Sequence, residues 1–156
     1  MAAEKICEYI GKERVDVFNI ADTDVEKIQS YSFLLLGMPT WDYGELQEDW
    51  EAVWDDLDAL DLSGKHFAIF GLGDQIGYPQ WFQDAMGYLH DKFVTRGALP
   101  HGYWPNKGYT FEASQALNDD GTQFVGLALD EENEFDLSQE RIETWCDSVL
   151  AAFNEY

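Results

Sequence analysis

The chain has 156 residues, about the length of one domain, and its 46% apolar content is enough to close a single core. Nine Lys and Arg against 31 Asp and Glu give a net charge of −22, which excludes a nucleic-acid binder working by phosphate neutralisation and disfavours docking on anionic lipid. An aromatic content of 15% argues against a disordered acidic tail, and no apolar run reaches the ~20 residues of a membrane span.

In chain order, Ala3, Ile6, Cys7 and Ile10 share a helix face that Gly11 is suited to stop. Val15, Val17 and Ile20 read as a short strand, and Thr23 with Glu26 as the capping box of a short helix. The continuous apolar runs Phe33–Leu36, Phe67–Phe70 and Phe124–Leu129 predict parallel strands covered on both faces. Helical stripes lie between and after them: Leu46, Trp50, Val53, Trp54, Leu57 and Leu60; then Phe82, Ala85, Met86, Leu89 and Phe93; then Ile142, Trp145, Cys146, Val149, Leu150 and Phe153. Ser138 is the expected N-cap of the last helix. Strands alternating with helices predict a doubly wound α/β sheet.

Acid is concentrated in two stretches without a basic residue, between Lys27 and Lys65 and from Gly108 to Glu140. Each is read either as a solvated surface or as a docking face for a basic partner. His66, His90 and His101 are scattered, and with no paired histidine or cysteine motif no metal site is expected. Cys146 on its apolar stripe reads as inert core. Cys7 and Cys146 form no disulfide framework.

Ligands of open α/β sheets sit at the carboxyl ends of the strands. Two loops there stand out, Gly37–Leu46 after the run Phe33–Leu36 and Gly71–Pro79 after the run Phe67–Phe70. Each sets an aromatic residue, Trp41 or Tyr78, beside glycines. Either the pair sandwiches a flat conjugated ligand, or each ring caps the edge of the core. Gly71, Gly73 and Gly77 miss the G-x-G-x-x-G spacing by one residue, and no G-x-x-x-x-G-K-[ST] occurs.

Pro39-Thr40-Trp41 leading to Gly44-Glu45-Leu46, then Phe70-Gly71-x-Gly73-Asp74-Gln75-Ile76-Gly77-Tyr78, resembles the long-chain flavodoxins. So do Phe82-Gln83-Asp84-Ala85, Gly102-Tyr103-Trp104, Gly108-Tyr109-x-Phe111 and Phe124–Asp130, in order along the chain. The resemblance implies one flavodoxin-like domain over residues 1–156, with sheet order 2-1-3-4-5 and a segment near 105–123 that splits the last strand. It implies bound FMN and one-electron transfer, without a catalytic residue. Trp41 and Tyr78 take the places that flank the flavin ring, and Thr40, Asp42, Gly73, Asp74 and Gln83 those lining the ring or ribityl chain. Tyr43, Gly44, Leu72 and Asp130 complete the implied set. Asp42 stands where the family often has Asn, Tyr43 where it has an aliphatic residue, and Leu72 where Thr is common.

The family opens with a strand and a Thr/Ser-Gly-rich loop that holds the FMN phosphate, and about sixteen such residues have no counterpart here. The domain is therefore expected to be N-terminally incomplete, with strands near Val15–Ile20 and Phe33–Gly37 flanking a slot about 9.6 Å wide. Acidic and electron-rich groups at the ring disfavour negative charge on it, which suits low-potential, one-electron shuttling. The implied partners are basic redox proteins, similar to ferredoxin-NADP reductase or to photosystem components. The expected state is a monomer in the cytoplasm, or in the plastid stroma if a targeting segment precedes it. Two other readings compete. One is a shortened, acidic interaction module without flavin; the other is a flavin-dependent quinone reductase, which needs space over the ring that a Trp/Tyr sandwich fills.

Overall fold

The computed structural model describes residues 1–156. Alternation along two apolar runs decides the sheet. Strand β1 (Phe33–Trp41) runs parallel to β3 (His66–Leu72), in register from Phe33 opposite His66 to Pro39 opposite Leu72. On β3, Phe67 and Ile69 point into one core while Ala68 and Phe70 point into another, as the period of two requires. The first core packs against helix α3 (Asp84–Thr95) through Ala85, Met86, Leu89 and Phe93. The second packs against α1 (Ala2–Ile10) and α4 (Ser138–Phe153), whose stripe Ile142, Trp145, Cys146 and Val149 is buried. Helices thus cover both faces, and the sheet is doubly wound.

The other edge of β3 is shared by two short strands. β4 (Leu99–His101) pairs with its first half and β7 (Leu127–Leu129) with its second half, both parallel. Between them the chain leaves the sheet, and β5 (Trp104–Pro105) and β6 (Gln123–Phe124) close a small antiparallel pair. β2 (Glu45–Leu46) folds back antiparallel onto the end of β1, and α2 (Glu48–Val53) follows it. The order β1-β3-β4/β7 supplies the last three positions of the expected 2-1-3-4-5 order.

Several sequence expectations are corrected. Val15–Ile20 forms no strand: residues 15–19 join no ladder, Val17 is exposed, and a 3-10 turn spans Ile20–Asp22. Alternation without a hydrogen-bonded neighbour is not a strand, so no slot with two strand walls exists. The run Phe124–Leu129 is not continuous, because Phe124 pairs with Trp104 while Leu127 pairs with Phe70. Gly126 bridges the two pairings where the chain passes so close to the Ile69 carbonyl that a Cβ would sit 2.3 Å from its oxygen. The Leu46–Leu60 stripe is not one helix: α2 ends at Val53 and a 3-10 turn, Asp56–Ala59, follows. Thr23 makes no capping box, since its hydroxyl donates to the Asn19 carbonyl and Asp24 precedes the 3-10 turn Val25–Ser30. Ser138 lies inside the first turn of α4, after Leu137, and its buried hydroxyl has no partner. Gly11 does end α1, at φ 110, donating to the Cys7 carbonyl.

Candidate functional site

Two loops meet at the carboxyl ends of the adjacent parallel strands β1 and β3. The first turns through Trp41–Gly44. Asp42 sits at φ 43 and Gly44 at φ 83, left-handed geometry that L side chains rarely adopt. A Cβ on Gly44 would also come within 2.8 Å of Asp84 Oδ2. Two left-handed residues flanking Tyr43 throw its ring outward, 66% exposed. It stands edge-on to Tyr78, ring centres 6.0 Å apart, and to Trp81, 5.0 Å apart. Trp41 is 43% exposed and makes no aromatic contact.

The second loop is pinned from below. Leu72 ends β3 opposite Pro39 and Leu129, and the Gly73 amide donates to the Leu129 carbonyl at 3.0 Å. Asp74 accepts from the amides of Gly77 (2.7 Å) and Ile76 (3.1 Å) and from Asn133 Nδ2 (2.8 Å). Burial alone pushes the Asp74 carboxyl up, but the hydrogen bonds from Gly77, Asn133 and Ile76 outweigh it and hold the group below its ordinary value. The Asp42 carboxylate faces the Tyr78 hydroxyl across the loops. Acting first as hydrogen-bond acceptor and then as a charge, it keeps that phenol above its ordinary value. Neither loop, over 37–46 or 71–79, carries a Lys or Arg.

Of the residues singled out from sequence, Trp41, Asp42, Tyr43, Gly44, Leu72, Gly73, Asp74 and Tyr78 lie on these two loops. The other three turn inward. The Thr40 hydroxyl accepts from the Ala85 amide at 3.0 Å and so caps α3. Gln83, fully buried at φ 64, donates to the Leu129 carbonyl at 2.9 Å and more distantly to that of Gly71, and its Oε1 has no partner. Asp130, also fully buried, accepts from the amides of Gln75 and Asn133. Gln75 was missed by sequence reasoning: buried within the second loop, it hydrogen-bonds the segment at Thr110 and the turn carrying Asp130 and Glu134. Nothing local marks it, because all its partners lie more than thirty residues away.

The histidines are less scattered than their spacing suggests. His66 Nδ1 and His101 Nε2 lie 2.9 Å apart at the opposite end of β3. Their ring centres are 5.1 Å apart, with the two rings tilted 36° to each other. Cys146 is buried as expected, and burial pushes its thiol up to about 11.

The fold is a doubly wound α/β domain with two loops converging at its strand ends, and comparison with known proteins names the family. The flavodoxin family model matches residues 1–145. Flavodoxin 2 of Escherichia coli (strain K12) is 54% identical over 156 residues, covering 100% of this chain and 90% of its own. A flavodoxin of Synechococcus elongatus is 47% identical over 146 residues, covering 94% and 85%. The structure of Fusobacterium nucleatum flavodoxin bound to flavin mononucleotide aligns with a TM-score of 0.90 and 29% identity, over 97% of this chain and 89% of that one. The chain belongs to the flavodoxin family. No helix in it is long and apolar enough to cross a membrane.

Proposed function

We propose that this chain is a low-potential electron carrier that binds FMN with the flavin ring between Trp41 and Tyr78. It passes one electron at a time between redox proteins. The observation that carries this reading is the indole of Trp41: a large aromatic face, 43% exposed and without an aromatic neighbour, at a strand end where α/β sheets bind ligands. The donor set fits the ring end of the cofactor, with aromatic faces, loop amides and carboxylates but no cationic side chain on either loop. The phosphate end calls for donors outside these two loops.

FMN, when bound, supplies the redox centre that takes up and releases electrons. The chain's own residues do the rest. Trp41 and Tyr78 hold a flat ligand and exclude water from its faces. Asp42 and Asp74, the latter kept ionised by the loop amides, oppose added negative charge at the mouth of the site. Leu72 and Gly73 keep the floor narrow, since a Cβ on Gly73 would come within 3.0 Å of the Phe82 ring. Thr40, Gln83 and Asp130 support the loops from beneath.

The reading treats residues 1–156 as one domain and a monomer, a carrier rather than an enzyme, working in the cytoplasm with basic partners such as a ferredoxin-NADP reductase or photosystem component. The −22 charge supports such partners. An acidic interaction module without flavin accounts for the charge but leaves the exposed Trp41 without a role. The direct test is titration of the purified chain with FMN, followed by flavin fluorescence, which stacking on Trp41 quenches. Saturable quenching at one FMN per chain is expected, and its absence refutes the reading.

A further inference from the structure

Gln75 is 3% exposed, yet every polar atom of its amide is used. Its Nε2 donates to Glu134 Oε1 at 2.6 Å, and its Oε1 accepts from the Thr110 amide at 2.6 Å and the Thr110 hydroxyl at 3.3 Å. Its own backbone amide donates to Asp130 Oδ2 at 3.1 Å. The orientation of the side chain is forced, because the Thr110 amide can only donate and the Glu134 carboxylate only accepts. Glu134 is itself held by Arg141 at 3.3 Å. A neutral amide is the one side chain that satisfies both neighbours: Glu would lack the donor and Leu would lack both.

Three loops therefore meet on one side chain: the loop that carries Tyr78, the segment around Thr110, and the turn after β7. The segment around Thr110 grips the Tyr78 loop a second time, as the amides of Glu112 and Ala113 donate to the Pro79 carbonyl at 2.7 and 3.0 Å. Tyr78 is thus bracketed in sequence by two anchors, Gln75 and Pro79, that both reach the same excursion out of the sheet. Its own ring has no such anchor in the core.

We infer that Gln75 is a positioning residue for flavin binding: with Thr110 and Glu134 it sets the Tyr78 loop in the conformation that presents the ring to FMN. Through it the segment 108–113, which lies outside the two ligand loops, contributes to the hold on the flavin. This rests on the FMN reading above. Pre-organisation of a loop lowers the ordering cost that binding would otherwise meet.

The test uses the full chain and three variants: Gln75→Leu, Gln75→Glu, and the exchange Gln75→Glu with Glu134→Gln, which restores one donor and one acceptor with their positions traded. Two quantities are read, amide hydrogen exchange in the chain without FMN, and the FMN dissociation constant with the residual flavin fluorescence of the complex. Gln75→Leu is expected to speed exchange at Ile76, Gly77 and Tyr78 at least tenfold, while Ala68 and Ile69 in β3 change less than twofold. It should also weaken FMN binding at least tenfold. Gln75→Glu should behave likewise, and the double variant should return to within threefold of the parent in both readouts. Unchanged loop exchange, an equal rise across loop and sheet, or a double variant no better than Gln75→Glu would each overturn the inference. Should the parent chain fail to bind FMN, the functional reading falls, and the exchange data alone decide whether Gln75 orders the loop.

Discussion

Replacing Trp41 by Ala separates a ligand-binding ring from a core plug. A tryptophan side chain presents up to about 250 Å², so at 43% exposure Trp41 leaves about 100 Å² uncovered in the free chain. A flat ligand on one face covers about half of that area, contributing about 1.3 kcal/mol at about 25 cal/mol/Å². Offset stacking adds about 0.5–1.5 kcal/mol. The sum is about 2–3 kcal/mol, or about 30- to 140-fold in the FMN dissociation constant. Stability should hardly change, because Trp41 belongs to neither buried core cluster and exposed substitutions cost within about 0.5 kcal/mol. Titration of parent and Trp41→Ala with FMN, beside thermal melts of both, reads the two effects separately. A variant that melts several degrees lower yet binds FMN with parental affinity and quenching would refute the argument and make Trp41 a plug at the core edge.

Burial raises the Asp84 carboxyl, and the hydrogen bond from the Gln115 amide only partly offsets this. The folded chain then holds that proton more tightly than the unfolded one, so the stability Asp84 contributes falls as pH rises through its folded value and stays lower above it. Asp84→Asn keeps an acceptor for Gln115 and removes the charge, so its gain in melting temperature should grow as pH rises from below the ordinary carboxylate range to neutrality; a gain independent of pH sinks the argument. Ser138→Ala removes a buried hydroxyl that has no partner and should leave denaturant melts unchanged or slightly improved, whereas a loss of about 1 kcal/mol would restore Ser138 as a helix cap. Electron transfer to a basic reductase should slow steeply with salt, as the screening length falls from about 10 Å at 0.1 M to about 3 Å at 1 M. A rate indifferent to salt points to an apolar docking surface, for which Tyr43 and Ile76, 66% and 61% exposed, are the candidates.

Which side chains enter the core was legible without a structure. The stripes Ala85, Met86, Leu89, Phe93 and Ile142, Trp145, Cys146, Val149 are buried as their spacing indicates, and the runs at Phe33 and Phe67 are adjacent parallel strands. These follow from local periodicity, which a window of a dozen residues contains. The two loops with Trp41 and Tyr78 stood out for a similar reason: glycines beside aromatics need no distant partner to be noticed. What only the tertiary structure decided is where polar groups find their partners. Val15–Ile20 has a strand's alternation but no ladder. Phe124–Leu129 has a strand's composition but divides its pairing between two sheets. Thr40, Gln83 and Asp130 have ligand-like chemistry but spend it on α3, on the ends of β3 and β7, and on the turn beyond. Gln75 shows the converse, an unremarkable glutamine that joins three loops. Hydrophobic burial is set by a residue's own pattern, but a hydrogen bond belongs to two groups, and in each of these cases the second lies elsewhere in the chain or is missing from the ladder.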